Sequence, residues 1–224
     1  MSGTISITRV LRPRIDAKIT YNRYSFLYDL IGGQFERQYA MTGLDLLNVQ
    51  PNEHVLEVGF GTGHVMLAMA KLVGNNGKVS GIDISERMCA ITQRRLARAQ
   101  LSHRVNIHCG DAMKMPFSDN QFNALFMSFT LELFDTPEIP RILMECKRVL
   151  KSQGRFVNVS LLKQRHEPAI EQMYEWIHRL FPRWVDCRPI NATKALKQAG
   201  LLMHEAWKQP LFGLKVAINL AYNP

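Results

Sequence analysis

The sequence predicts an α/β protein: a doubly wound, mostly parallel seven-stranded sheet with helices on both faces and an antiparallel pair of strands at the C-terminal end. Three observations carry that expectation. From residue 54 onward, short aliphatic and β-branched runs alternate with segments of helical period. The runs end in glycine, aspartate or serine, residues that turn a chain. The last two runs follow each other with no helical segment between them, so they pair antiparallel.

Taken in order, the opening 50 residues form an N-terminal extension with helical candidates at Arg23–Ile31 and Phe35–Leu47, and Pro51 and Asn52 mark the entry to the sheet. His54–Val58 reads as the first strand and Thr62–Val73 as a helix, broken by Gly74-Asn75-Asn76-Gly77. Lys78–Asp83 is the second strand. Ser85 is placed to cap the helix Arg87–Ala99, with Glu86 in its first turn. Arg104–His108 and Phe122–Ser128 are the third and fourth strands, Glu138–Leu150 is a helix ended near Gly154, and Arg155–Ser160 is the fifth strand. Glu167–Phe181 and Asn191–Ala199 read as helices, Gly200 as a stop, and Leu202–Trp207 with Leu214–Tyr222 as the closing pair. No internal repeat interrupts this order.

Composition sets the outer limits. The chain has 224 residues, 46% hydrophobic and 21% charged, which suits a globular protein and excludes disorder, collagen and coiled coil. Its longest nearly apolar run, Ala124 to Phe134, is well short of the ~20 residues of a membrane helix. Met1 to Arg14 carries Arg9, Arg12 and Arg14 rather than the apolar stretch of a secretory signal, so the expected place is the cytoplasm. Cys89, Cys109, Cys146 and Cys187 form no Cys-x-x-Cys pair, and reduced thiols are expected. The net charge of +9 is spread along the chain, densest near the start and at Arg94, Arg95 and Arg98. It reads first as a solvated surface, with an anionic membrane or RNA as alternatives.

The chemistry gathers at the strand ends. Leu56-Glu57-Val58-Gly59-Phe60-Gly61-Thr62-Gly63 follows a strand and opens a helix, where glycines let the backbone turn tightly and approach a ligand. Asp83 ends the second strand, placed to accept hydrogen bonds from both hydroxyls of an adenosine ribose. The dinucleotide pattern wants a third glycine where His64 stands, and Glu57 puts a negative charge where a pyrophosphate would want none. A cationic amine suits that carboxylate better. Asp111, after the third strand, offers an acceptor to an adenine amino group. A ligand with adenosine at one end and an amino acid and sulfonium at the other meets all three acids: S-adenosylmethionine.

Here the sequence resembles the class I S-adenosylmethionine-dependent methyltransferases, and within them the ubiquinone/menaquinone biosynthesis methyltransferase group. The resemblance covers about residues 20–160. It rests on Val55 to Gly63, on Gly81-Ile82-Asp83-Ile84-Ser85, on Gly110-Asp111-Ala112 with Met115-Pro116-Phe117, and on Arg148-Val149-Leu150-Lys151 with Gly154. It implies a Rossmann-like fold in which residues 1–50 form a helical lid and residues 51–224 the transferase domain. By it, Glu57 would lie near the methionyl amine and Gly59, Gly61 and Gly63 would line the cofactor. Asp83 would hold the ribose, Asp111 and Ala112 would face the adenine, and Ile84 and Met88 would pack on its ring. Ser128 would stand beside the reacting methyl. The chain departs from the family pattern at Asn123, at Ser152-Gln153, and in Met127 to Glu132, which lacks the Arg-Asn pair common in the quinone enzymes.

The resemblance implies methyl transfer to a small lipophilic acceptor such as a quinol-type ring. Methyl transfer from a sulfonium needs alignment and exclusion of water more than a nucleophile, although a phenol or ring carbon also needs a base. His166, just past the fifth strand, is the first candidate, with Glu132, Tyr24 and Tyr28 behind it. Met113, Met115, Phe117 and Met127 read either as an apolar acceptor pocket or as core filling. Three other readings stay open at this point: phospholipid N-methylation with peripheral membrane contact, a cofactor- or RNA-binding module without turnover, and a nicotinamide oxidoreductase.

Overall fold

The computed structural model describes residues 33–164, 187–211 and 213–224. The expected helices Arg23–Ile31 and Glu167–Phe181, and the base candidates Tyr24, Tyr28 and His166, lie outside the described residues.

Seven strands form one sheet in the order β3-β2-β1-β4-β5-β7-β6. They are β1 (His54–Val58), β2 (Lys78–Asp83), β3 (Val105–Cys109), β4 (Phe122–Ser128), β5 (Leu150–Leu161), β6 (Leu202–Leu211) and β7 (Leu214–Tyr222). The first five are parallel, and β7 runs antiparallel to both β5 and β6. The described helices are α1 (Gly33–Leu47), α2 (His64–Leu72), α3 (Glu86–Arg98), α4 (Ile139–Val149) and α5 (Ala192–Gln198). Among them none is long and apolar enough to cross a membrane.

The period of two along the strands sorts side chains into two cores. Val55, Val79, Ala124, Phe126, Val157 and Val159 face α1, α2 and α3, where Leu44, Leu47, Met66, Met69 and Leu96 meet them. Leu56, Val58, Ile82, Leu125, Met127 and Phe156 face α4 and α5, against Ile142, Leu143, Cys146 and Leu196. Both faces of the sheet are therefore covered, which is why the parallel strands read as continuous apolar runs. Each such fully buried side chain contributes roughly 1.5–3 kcal/mol.

Two strands are longer than the apolar runs suggest. β5 begins at Leu150 rather than Arg155, because Leu150 pairs with Phe122 across a shift in register. Gln153 takes φ 60°, and its N–H donates to the Asn223 carbonyl at 2.8 Å, tying the start of β5 to the end of β7. β6 continues through Lys208, Gln209 and Pro210 because it is an edge strand, where a proline forfeits no ladder bond. The N-terminal helix is fixed from below. Arg155 of β5 donates from Nε to the Leu47 carbonyl at 2.8 Å and pairs with Glu53 at 2.5 Å, holding the C-terminal end of α1 on the sheet.

Strand order reverses between β1 and β4. In an open α/β sheet, the crevice beyond the carboxyl ends of two such strands is where ligands bind.

Candidate functional site

The chain leaves β1 through Gly59 to Gly63 and enters α2 at His64. The Gly59 N–H donates to the Ile82 carbonyl at 2.8 Å, and the Gly61 N–H donates to Asp83 Oδ2 at 2.9 Å, so the end of β2 shapes the turn. From the other side α3 holds the loop carbonyls. Thr92 Oγ1 donates to Gly61 O at 2.9 Å and Arg95 donates to Thr62 O. Gly61 sits at φ 50° with open space where a Cβ would project, room that a ligand can use.

Asp83 is fixed by two backbone donors, Gly61 N–H on Oδ2 and Ser85 N–H on Oδ1, the latter also 2.9 Å. Burial raises its pKa although both donors pull it down. Ser85 caps α3 as expected, accepting from Met88 N–H at 3.2 Å. Glu57, 4% exposed, is held well above the usual carboxylate range, first by burial and then by the Asp83 charge. Its Oε2 is buried without a hydrogen-bond partner, as is the Ser128 hydroxyl at the end of β4. Asp111 accepts from Met113 N–H at 2.9 Å and so caps the short 3-10 turn Ala112–Lys114.

These groups share one cavity of about 230 Å³. Glu57, Gly59, Gly61, Asp83, Ile84, Met88, Asp111, Ala112 and Ser128 all line it. Gly63 was expected among them and is not. Its φ of 75° starts α2, and a Cβ there would lie 2.6 Å from Thr92 Oγ1, so the position serves close packing of α2 on α3 rather than the cavity. Met113, Met115, Phe117 and Met127 do not line the cavity either; Met115, Phe117 and Met127 are buried in the core on the α4 face, so of the two readings of this cluster core filling holds.

Sequence reading missed part of the wall. Glu36, Arg37 and Ala40 of α1 reach the cavity, as do Phe129, Thr130, Leu133 and Phe134 after β4. Phe129 adopts φ 48°, held there by its N–H on the Val159 carbonyl at 2.8 Å. A bulky residue in that region costs about 1–3 kcal/mol, strain that tends to gather at functional sites. The lining carries carboxylates on Glu36, Glu57, Asp83, Asp111 and Glu138 and a guanidinium on Arg37, a balance that favours a cationic ligand.

Glu132, a candidate base, is wholly buried behind this wall and is not part of the lining. Its Oε1 accepts from Leu161 N–H at 3.1 Å and burial lifts its pKa to about 8. A carboxyl raised in the folded state stabilises the fold fully below its unfolded pKa and loses that contribution as pH rises through its folded value. The melting-temperature advantage of Glu132→Gln over the parent chain should therefore grow between pH 4.5 and about 8 and then level off. A difference that is flat over that window in calorimetry would contradict the assignment.

A family profile described as a methyltransferase domain matches residues 55–154, from β1 into β5. The demethylmenaquinone methyltransferase of Alkalihalophilus pseudofirmus is 30% identical over 159 residues, covering 71% of this chain and 66% of that protein. That of Symbiobacterium thermophilum is 40% identical over 140 residues, covering 62% and 55%. Through this segment the chain is similar to methyltransferases. It spans 66% and 55% of the lengths of these two relatives. The fold is also that of the geranyl diphosphate C-methyltransferase from Streptomyces coelicolor A3(2), with a TM-score of 0.75 at 14% identity over 96% of this chain and 99% of that one. The matched segment contains Glu57, Asp83, Asp111 and Ser128, whereas the α1 wall lies before it.

Proposed function

We propose that this chain transfers the methyl group of S-adenosylmethionine to a small lipophilic acceptor, a quinone-type ring in its reduced form. The observation that carries the reading is the buried Glu57 carboxylate, its Oε2 unpartnered, sharing one cavity with the half-buried Asp83, whose charge adds to the cost of ionising it. Two such groups call for a ligand with a cation at one end and hydroxyls at the other. In this reading Glu57 takes the methionyl ammonium and Asp83 the ribose hydroxyls. Asp111 and Ala112 face the adenine, and Ile84 and Met88 pack on its ring. Gly59 and Gly61 border the ligand, Gly63 acts beneath it, and Ser128 stands beside the reacting carbon. The bound group supplies an electrophilic sulfonium methyl for in-line displacement.

The chain's part is alignment and exclusion of water. Phe129, Leu133, Phe134 and Ala40 offer an apolar wall to an acceptor ring, and the names of the relatives favour a quinone-type ring among lipophilic acceptors. For the acceptor proton we retain His166, which comes five residues after the last residue of β5 in the sequence. Residues 1–50 are the cover and residues 51–224 the transferase unit, a division supported by Glu36 and Arg37 reaching the cavity from α1. An acceptor dissolved in a bilayer would bring the chain to the membrane surface.

Binding of S-adenosylmethionine should release a proton, because a Glu57 carboxyl held high must ionise against an ammonium. Affinity then rises with pH until Glu57 is ionised in the free chain. Titration calorimetry in two buffers of different ionisation enthalpy reads the proton directly, and Glu57→Gln should abolish the release. Binding without proton exchange would remove Glu57 from the site. Transfer of a labelled methyl to demethylmenaquinol in detergent, against phosphatidylethanolamine vesicles, tests the acceptor; label in the lipid amine alone would replace it.

A further inference from the structure

Two of the thiols stand together at the edge of the cavity, in a place the proposed chemistry does not use. β2 and β3 pair with Asp83 opposite Cys109, so Cys109 ends its strand beside the carboxylate. Counting along β3, Cys109 has the parity of Val105 and Ile107, which pack on the α3 face of the sheet. Cys89 comes down from α3 onto the same face and is 5% exposed. Its thiol donates to the Asp83 carbonyl at 3.9 Å, the oxygen that also accepts from Gly110 N–H at 2.9 Å. Both thiols therefore approach the same end of β2, Cys89 through its bond to the Asp83 carbonyl and Cys109 through its pairing opposite Asp83. Cys109 is exposed, whereas Cys146 and Cys187 are buried elsewhere in the cores.

We propose that Cys89 and Cys109 are a modification site, a dithiol that hydrogen peroxide converts to a disulfide across the α3–β3 contact. The exposed Cys109 attacks first. Its sulfur bonds to one peroxide oxygen as the O–O bond breaks, and the departing hydroxide leaves as water with the thiol proton, giving a sulfenic acid on Cys109. Cys89 then attacks that sulfur, the S–O bond breaks, and a second water leaves with the Cys89 proton. Two electrons pass from the two thiols to the peroxide and the atoms balance. Burial pushes the Cys89 thiol up and keeps it from the peroxide, which leaves the first attack to the exposed Cys109.

The disulfide has a route to the cavity. A sulfur–sulfur bond is about 2.05 Å, so closing it draws the end of β3 toward α3. Met88 precedes one thiol and Gly110 follows the other, and both line the cavity. Their displacement widens or tilts the seat given above to the adenosine, and this second part of the inference rests on that reading of the site.

The test uses the full chain, reduced and then exposed to excess hydrogen peroxide, alkylated under unfolding conditions and mapped by peptide mass. The expected product is a peptide pair linking Cys89 to Cys109, two hydrogens lighter than its parts and separated by dithiothreitol. Cys109→Ala, at an exposed position, should abolish the link and leave Cys89 open to alkylation. Cys109 ending as a sulfinic acid, or paired between chains while Cys89 stays alkylatable, overturns the proposal. The oxidised chain should bind S-adenosylmethionine roughly tenfold more weakly than the reduced one, the scale of a sub-ångström misplacement. Equal affinity in the two forms overturns the coupling. A reduced chain that binds none, while the disulfide still forms, overturns the assigned ligand and leaves the dithiol standing.

Discussion

Asp83→Ala is expected to weaken S-adenosylmethionine binding by roughly two to four orders of magnitude. A carboxylate accepting from both ribose hydroxyls makes two charge-assisted hydrogen bonds of about 1.5–3 kcal/mol each, and each 1.4 kcal/mol is about tenfold in affinity. The side chain also acts on the protein itself, since Oδ2 holds Gly61 N–H and Oδ1 holds Ser85 N–H, fixing the loop and the entry to α3 together. Asp83→Asn separates the two roles. It keeps an oxygen for one backbone donor but removes the charge, so its loss should fall between parent and alanine variant. Stability should change little in either variant, because burial already raises the Asp83 pKa and deleting the carboxyl removes that cost. Equilibrium dialysis with labelled cofactor and a melting curve measure both. Affinity within about threefold of the parent in Asp83→Ala would move the ribose elsewhere.

The same residue explains why so much of the site is legible in the sequence. Glu57, Asp83, Asp111 and Ser128 each stand at or just beyond the carboxyl end of a parallel strand, and parallel strands declare themselves as apolar runs between turn residues. Once the runs are found, the residues that end them are the residues of the crevice. What the runs cannot tell is which groups reach in from elsewhere. Thr92 and Arg95 hold the loop carbonyls across 31 and 33 residues, and α1 brings Glu36, Arg37 and Ala40 to the cavity from before the first strand. On a helix such residues look like ordinary surface or packing positions, and only tertiary geometry gives them a partner. The methionines stayed undecided between two readings for the opposite reason. An apolar side chain near a strand end suits a pocket and a core equally, and the parity of the strand put Met127 with Leu125 on the α4 face. The full length of β5 was hidden too, because the polar stretch Lys151-Ser152-Gln153 is carried by pairing with the chain end rather than by its own hydrophobicity.

Gly63→Ala should lower the melting temperature by roughly 4–20 °C, from about 2–5 kcal/mol at the 2–4 °C per kcal/mol of a domain this size. Two separable costs make up that figure. Alanine at φ 75° is in the left-handed region, about 1–2 kcal/mol. Its Cβ would also lie 2.6 Å from Thr92 Oγ1, and Thr92 cannot swing clear without losing its bond to the Gly61 carbonyl. Overpacking of that kind costs about 1–3 kcal/mol. Thr92→Ala gives the new methyl room, so the double variant should recover the packing part and keep the backbone part. The interaction between the two substitutions is then favourable, by about 1 kcal/mol or more in a double-mutant cycle. Simple additivity would mean that Gly63 is needed for its dihedral angle alone. Cofactor affinity should fall in Gly63→Ala as well, since any shift of Thr92 moves Gly61, whose N–H is the link between the loop and Asp83.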